Sequence, residues 1–235
     1  MTGTAPAPAP IAVALDTGDL DTAQLWAAAA APHVSTMKVG LELYLRHGCD
    51  VVEAIREAAG ERDVFLDLKL HDIPNTVAGA ARSLAPVAPA YLTVHATGGA
   101  AMIRAAVEVL PETRVAAVTL LTSISAHDVS AIGFHGSSRD IVRRLALLAV
   151  AAGARAIVCS PVEVADVRRE VGPDVVLVTP GVRFAGAPMS DQSRVATPEQ
   201  ALAAGADLLV VGRPITAAAD IATAAQRTAQ QLRSA

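Results

Sequence analysis

Short runs of apolar residues alternate along this chain with longer, alanine-rich stretches. The runs are rich in valine, isoleucine and leucine, which is typical of strands that are buried on both faces. The longer stretches are rich in alanine, the strongest helix former. We predict strands at 11–16, 36–40, 64–70, 91–96, 114–121, 156–160, 175–179 and 208–212. We predict helices at 21–31, 41–59, 75–83, 100–110, 138–152, 162–171, 198–204 and 215–233.

This regular alternation of strands and helices predicts a parallel sheet. Eight units of roughly thirty residues fit an α/β fold of the closed (β/α)8, or TIM barrel, type. An open, doubly wound sheet is the alternative, but no GxGxxG motif follows the first strand. We therefore predict a single barrel domain over residues 11–235, preceded by a short disordered arm of alanine and proline at 1–10.

Composition narrows the class of protein. The 235 residues carry a formal net charge of −4, whereas proteins that bind nucleic acids are normally basic. The mean hydropathy of +0.42 is high, but the longest apolar stretches are about half the length of a membrane-spanning helix. Cys49 and Cys159 lie far apart and are interpreted as buried thiols. We expect a cytoplasmic protein that binds neither nucleic acid nor membrane.

In a parallel barrel the chemistry lies at the carboxyl ends of the strands. Side chains of the third predicted strand alternate, so Phe65, Asp67 and Lys69 share the inward face and the leucines between them face the helices. A buried charge must be paired, and a purely structural salt bridge between Asp67 and Lys69 is one interpretation.

Charged residues at neighbouring strand ends favour a functional interpretation. Asp16, Lys38 and Asp72 are expected near Asp67 and Lys69, which would form an Asp–Lys–Asp–Lys–Asp group. Coupled charges of this kind are the setting in which ionisation becomes functional. Only two of the 19 lysine and arginine residues are lysine, and both belong to this group. Lysine can release a proton and arginine cannot, so we predict that Lys69 is a proton donor.

A second group of residues surrounds the last two strands, where such barrels commonly bind phosphate. Gly181 and Gly212 permit close approach of the backbone, and Arg183 and Arg213 supply bidentate cations. Gln192 lies on the connecting loop, whose small polar residues are typical of a lid. Ordinary surface positions for the two arginines are the alternative.

The remaining histidine, cysteine and serine residues at strand ends give weaker evidence of a functional site. His71 is predicted to be structural, and His95 has no second ligand at a metal-binding spacing, so a metal site is not expected. Cys159 is predicted to fill the core. Ser123 and Ser160 lack the G-x-S-x-G context of a hydrolase.

The segment 67–76, Asp-Leu-Lys-Leu-His-Asp-Ile-Pro-Asn-Thr, resembles the signature of the orotidine 5′-phosphate decarboxylase family. The resemblance extends over almost the whole chain after the arm. It includes Ala14-Leu15-Asp16, Lys38-Val39-Gly40, Leu121-Thr122-Ser123, Thr179-Pro180-Gly181-Val182-Arg183, Asp191-Gln192 and Val211-Gly212-Arg213-Pro214.

The resemblance implies a decarboxylase that needs neither cofactor nor metal and works as a homodimer with shared active sites. It implies that Lys69 donates the proton and that Asp67 lies beside the carboxylate that leaves. Asp72 and Thr76 would reach into the site of the partner subunit. The implied substrate contacts are Asp16 and Lys38 with the ribose, Thr122 and Ser123 near the pyrimidine, Pro180 in the binding pocket, and Arg183, Gln192, Gly212 and Arg213 with the phosphate.

Two other functions stay open at this point. A sugar-phosphate decarboxylase or aldolase of the same superfamily shares an Asp-x-Lys-x-x-Asp core but uses magnesium. The continuation Ile73-Pro74-Asn75-Thr76 and the Gln192 loop favour the pyrimidine enzyme. A nucleotide-binding protein without activity is the second alternative, and the intact charged group argues against it.

Overall fold

A computed structural model describes residues 7–60, 62–182 and 196–233. Eight parallel strands pair in chain order, and the last pairs with the first, which closes the predicted barrel. The strands are β1 (Ala9–Ala14), β2 (Val34–Gly40), β3 (Asp63–Leu70), β4 (Tyr91–His95), β5 (Arg114–Val118), β6 (Ala156–Val158), β7 (Val176–Thr179) and β8 (Leu208–Val211).

Helices follow the strands and form the outer layer. They are α1 (Leu20–Ala30), α2 (Leu41–His47), α3 (Asp50–Ala59), α4 (Pro74–Leu84), α5 (Gly99–Val109), α6 (Ala126–Ala131), α7 (Ser138–Ala151), α8 (Val164–Val171), α9 (Pro198–Ala203), α10 (Arg213–Thr216) and α11 (Ile221–Arg233). Within the described residues, none of these helices has the length and apolar character needed to cross a membrane.

Two apolar layers hold the barrel together, because side chains of each strand alternate between its two faces. The larger layer lies between strands and helices and includes the outward Leu66 and Leu68 of β3, as predicted. The smaller layer fills the inside of the barrel, where the rings of Phe65 and Tyr91 lie 5.5 Å apart. Its members are Ala12, Phe65, Tyr91, Ala116, Ala156, Val178 and Leu208. Alanine at three of these seven positions leaves room for the two large rings.

Several predicted boundaries differ from the structure. The first strand begins at Ala9, so the last two residues of the predicted arm belong to β1, and Ala9 pairs with Val34. The predicted helix 41–59 is two helices, because Gly48 adopts a left-handed φ of 63° that ends α2. The predicted helix 215–233 is likewise divided between α10 and α11, and α6 was not predicted.

The β3–β4 pairing contains an irregularity that shapes the site. Leu66 pairs with Leu92, but the next pair is Leu70 with Val94, so the β3 segment is longer than the β4 segment opposite. Such a bulge re-aims the side chains it carries. Lys69 lies inside it with a left-handed φ of 49°, which is uncommon for a residue with a side chain.

Candidate active site

Four charged side chains form a continuous row across β1, β2 and β3. The ammonium of Lys38 lies 3.1 Å from Oδ1 of Asp16 and 3.3 Å from Oδ2 of Asp67. The ammonium of Lys69 donates to Oδ1 of Asp67 at 2.7 Å. The predicted clustering of Asp16, Lys38, Asp67 and Lys69 is thus present in the structure. Charges alternate along the row, so each lysine has a carboxylate beside it.

Burial decreases in both directions from the centre of this row. The side chains of Lys38 and Asp67 are 7% and 15% exposed, against 31% for Lys69 and 63% for Asp16. Burial by itself would raise the pKa of the Asp67 carboxyl, but the nearby charges of Lys38 and Lys69 outweigh it. Its pKa is therefore below the usual range, and the carboxylate stays ionised at neutral pH.

The ends of the strands explain how these groups meet. Lys38 is paired in register with Phe65, and Gly40 with Asp67, so the end of β2 lies beside Asp67 while β3 continues to Leu70. A Cβ atom at Gly40 would lie 3.0 Å from Oδ1 of Asp16 and 3.3 Å from the ammonium of Lys38. The glycine therefore leaves the space in which this ion pair forms.

Thr93, on β4, contacts two members of the row. Its hydroxyl accepts from the backbone N–H of Lys69 at 2.8 Å and donates to Oδ1 of Asp67 at 3.0 Å. We did not predict a role for this residue. The signal available in the sequence was a single polar residue at the centre of the apolar strand Tyr91–His95.

A cavity of about 190 Å³ lies against this row at the carboxyl end of the barrel. One side of it is polar and consists of Asp67, Lys69 and Thr93. The rest is mainly apolar, and its lining residues are Phe65, Val118, Leu120, Leu121, Thr122, Val158, Cys159, Val178, Pro180 and Val210. The cavity therefore offers an ammonium group to one edge of a small, flat, mostly uncharged molecule.

Several predicted residues border this cavity and others do not. Thr122 and Pro180 line it, whereas Ser123 is exposed and is not among the lining residues. Cys159, predicted to be core filler, is buried and also lines the cavity. Burial raises the pKa of its thiol, which keeps the sulfur protonated.

Asp72 and Thr76 lie apart from the charged row. Both are exposed, and Asp72 accepts from the backbone N–H of the next residue at 2.6 Å. Among the described residues Asp72 forms no ion pair with Lys38 or Lys69, so within one chain the predicted group has four members and not five. Ile73, between them, is 65% exposed.

The predicted phosphate-binding residues are only partly described. Gly212 follows β8, and the exposed Arg213 begins α10 close to the carboxyl end of the barrel. Gly181 follows β7 with a left-handed φ of 84°. Arg183 and Gln192 lie outside the described residues.

Two histidines lie beside the row. The rings of His71 and His95 are 5.3 Å apart. Burial, followed by the charges of His71 and Lys69, lowers the pKa of His95. His71, which was predicted to be structural, is exposed. In the described parts of the chain, no three His, Cys, Asp or Glu side chains are grouped to hold a metal ion.

Two predicted strand-end residues lie in the interior instead. Ser160 and Thr179 are fully buried. Their hydroxyl oxygens have no hydrogen-bond partner within the described part of the chain.

The closed parallel barrel, with paired lysines and carboxylates at its carboxyl end, defines the class: a single-domain (β/α)8 enzyme with its site in the barrel mouth. Comparison with known families then gives a specific match. The model of the "Orotidine 5′-phosphate decarboxylase / HUMPS family" matches residues 9–228. The chain belongs to this family, and it is a carboxy-lyase.

Individual relatives agree with this family. The chain is 69% identical over 224 residues to an orotidine 5′-phosphate decarboxylase of Thermobifida fusca, covering 95% of this chain and 96% of the relative. It is 54% identical over 243 residues to the enzyme of that name from Frankia casuarinae, covering 97% and 89%. A crystal structure of the Lactobacillus acidophilus enzyme superposes with a TM-score of 0.81 at 34% identity, covering 95% and 99%.

Proposed function

We propose that this protein decarboxylates orotidine 5′-monophosphate to uridine 5′-monophosphate, the last step of de novo pyrimidine synthesis, with Lys69 protonating C6. One observation carries the proposal: the Lys69 ammonium, held by Asp67 at 2.7 Å, lines a cavity whose other walls are mostly apolar. Named relatives with up to 69% identity over 95% of the chain support the choice of substrate.

The chemistry needs an ammonium group at this position. When the bond between C6 and the carboxylate breaks, carbon dioxide leaves and the electron pair stays on C6. The Lys69 ammonium stabilises this negative charge and then transfers a proton to C6. Lysine is left as a neutral amine, which takes its proton back from solvent before the next turnover.

The remaining cavity residues would bind and orient the nucleotide. Thr122 and Pro180 line the apolar part of the cavity and suit contact with the pyrimidine. Asp16 is the exposed end of the row and, with Lys38, suits hydrogen bonding to the ribose hydroxyls. We further propose that Ser123 lies near the pyrimidine once the substrate is bound.

For the phosphate we propose Arg183, Gln192, Gly212 and Arg213. Exposure of Arg213 beside the barrel mouth supports this assignment. Binding energy from a phosphate remote from C6 can stabilise a closed, water-free state in which the proton transfer takes place.

We propose that the protein acts as a homodimer in which Asp72 and Thr76 complete the active site of the partner subunit. Both side chains are exposed and lie outside their own charged row, and the exposed Ile73 provides an apolar contact. Burying such a side chain stabilises association. Sedimentation velocity tests the dimer.

A mixing experiment tests the sharing of residues. Lys69→Ala and Asp72→Ala homodimers should each be nearly inactive. After subunit exchange, one site of each mixed dimer has both native residues, so activity should return to about a quarter of the wild-type value. Two inactive proteins that stay inactive after verified exchange would contradict the shared site.

The decarboxylation itself is tested by the loss of absorbance on adding orotidine 5′-monophosphate, with EDTA present and Lys69→Ala as the control. We expect full activity with the chelator, because the proposed chemistry uses no metal or cofactor. Loss of activity with EDTA and its return with magnesium would instead favour the enediolate chemistry of a sugar-phosphate enzyme. Substrate binding without turnover would indicate a nucleotide-binding protein.

We also propose that the protein acts in the cytoplasm. Cys49 and Cys159 are both free thiols, which is typical of a reducing compartment. Fractionation of the native cells with an antibody to the protein tests this location.

A further inference from the structure

Lys69 occupies an unusual backbone conformation for a residue on a strand. Its φ of 49° lies in the left-handed region, where a side chain with a Cβ atom is disfavoured. Such strain persists only where surrounding contacts enforce it. The contacts that enforce it here lie on the neighbouring strand.

Thr93 is the residue opposite the bulge. The regular pairs on either side are Leu66 with Leu92 and Leu70 with Val94, so Thr93 alone faces the intervening segment of β3. Its hydroxyl accepts the Lys69 N–H at 2.8 Å, which satisfies a donor that the bulge removes from the ladder.

The same hydroxyl also fixes the carboxylate that holds the ammonium. Its proton is donated to Oδ1 of Asp67 at 3.0 Å, and that oxygen also accepts from Nζ of Lys69 at 2.7 Å. Thr93 thus links the backbone of Lys69 to the group that binds its side chain. At 1% exposure, the threonine is itself held in place by the barrel.

We propose that Thr93 is a positioning residue of this active site, an inference that rests on the proposed function: its hydroxyl holds the strained Lys69 backbone and the Asp67 carboxylate so that the ammonium points into the cavity. Thr93 does not exchange a proton with the substrate. Its hydroxyl determines the position of the Lys69 ammonium group, and small displacements of a reacting group have large effects on rate.

Three variants test this role. Thr93→Val keeps the branched shape and removes both hydrogen bonds, whereas Thr93→Ser keeps the hydroxyl. Thr113→Val is a matched control, because this threonine is also buried on the barrel wall and its hydroxyl donates to the carbonyl of Pro89 at 2.8 Å. Thr113 directly precedes β5, so it lies at the opposite end of the barrel from the charged row.

We expect Thr93→Val to lower kcat by roughly 10- to 100-fold with KM changed less than about threefold, because the group that moves is the donor. Thr93→Ser should recover most of this loss, and Thr113→Val should keep wild-type kcat. Wild-type kcat in Thr93→Val would overturn the role. So would a Thr93→Ser variant as slow as Thr93→Val, or equal losses in the Thr113→Val control.

A second measurement does not depend on turnover. NMR titration of the Asp67 carboxyl in the free protein should show a higher pKa in Thr93→Val than in the wild type, because one hydrogen bond to the charged form is gone. Thr93→Ser should restore the wild-type titration. An unchanged pKa of Asp67 in Thr93→Val would contradict the proposed contact of Thr93 with Asp67, even if the variant is too unstable for kinetic measurements.

A wild-type protein that leaves orotidine 5′-monophosphate intact would refute the proposed function. The titration of Asp67 would then decide the role of Thr93 by itself.

Discussion

The two halves of the barrel mouth are built in different ways. On the side of β1 to β4, positive and negative side chains alternate. The ammonium groups of Lys38 and Lys69 and the hydroxyl of Thr93 contact carboxylates there. On the side of β5 to β8, the cavity is lined mainly by apolar residues, among them Val118, Val158, Val178 and Val210. The charged half places a cation at a fixed point, and the apolar half can hold a flat ring against it without competing hydrogen bonds.

The two halves should also differ in how well they tolerate substitution. The buried Lys38 and Asp67 depend on their neighbours, since a buried ion without its partner is strongly destabilising. The apolar half depends on shape alone and tolerates substitution of similar volume. Reaction chemistry should therefore be sensitive to single changes on the charged side.

Lys69→Arg should have the largest effect, because it keeps the positive charge but removes the proposed proton donor. We expect kcat to fall by at least about a thousandfold while the fold is retained. Absorbance assays measure the rate, and circular dichroism confirms folding. Lys38→Arg should be less damaging, since Lys38 contacts the carboxylates of Asp16 and Asp67 and is not the proposed donor to C6. Substantial turnover by Lys69→Arg would contradict the proton-donor role.

Asp67→Asn should have the next largest effect, on stability as well as on activity. It leaves the buried Lys38 with only the exposed carboxylate of Asp16, at a cost of about 3 kcal/mol in the free energy of unfolding. Urea denaturation measures this loss.

Asp166→Asn provides the matched control for Asp67→Asn. Asp166 is 12% exposed and also pairs with two cations, but these are the exposed Arg139 and Arg169. Water can replace the carboxylate there, so the loss should be below about 1 kcal/mol. Equal losses of unfolding free energy in the two variants would contradict the claim that Lys38 depends strongly on the Asp67 carboxylate.

Much of the barrel could be predicted from the sequence because its strands are continuous apolar runs. The break at Gly48 was missed because the apolar pattern of α2 continues into α3 across it. Helix α6 is short, and its signal is a local capping box in which Ser125 and Asp128 hydrogen-bond to each other's backbone. Chemistry at such a helix end, more than hydrophobic periodicity, indicates where it begins.

The site was predictable only in part. Alternation on β3 correctly placed Asp67 and Lys69 on the inward face. It could not reveal the left-handed backbone of Lys69, because no local residue preference requires it. Nor could it show that the exposed Asp72 forms no ion pair with the row among the described residues, since the path of the chain after β3 depends on tertiary packing.

Arg213→Ala should have a smaller effect that depends on the substrate. We expect kcat/KM for orotidine 5′-monophosphate to fall by about 10- to 100-fold, because a charge-assisted contact with phosphate is lost. The unphosphorylated nucleoside should be affected less than about threefold. Steady-state kinetics with both substrates, and Arg227→Ala on the exposed face of α11 as the control, measure this difference. Equal losses on both substrates would argue against a phosphate contact.

The smallest effect concerns His95, at the border between the two halves. Its pKa is lowered from 6.5 in the folded protein, mainly by burial and then by His71 and Lys69, with Asp67 acting in the opposite direction. The unfolded chain therefore binds a proton at a higher pH than the folded chain does. This contribution to stability is fully present above pH 6.5 and is lost as the pH falls below that value. Between pH 7.5 and 5.5 the free energy of unfolding should fall by at most about 1 kcal/mol from this source, because solvent screens the half-buried ring.

His95→Asn should reduce the pH dependence of urea unfolding in this range, while His135→Asn, at an exposed position, should leave it unchanged. The same pH dependence in His95→Asn as in the wild type would place the titrating group elsewhere.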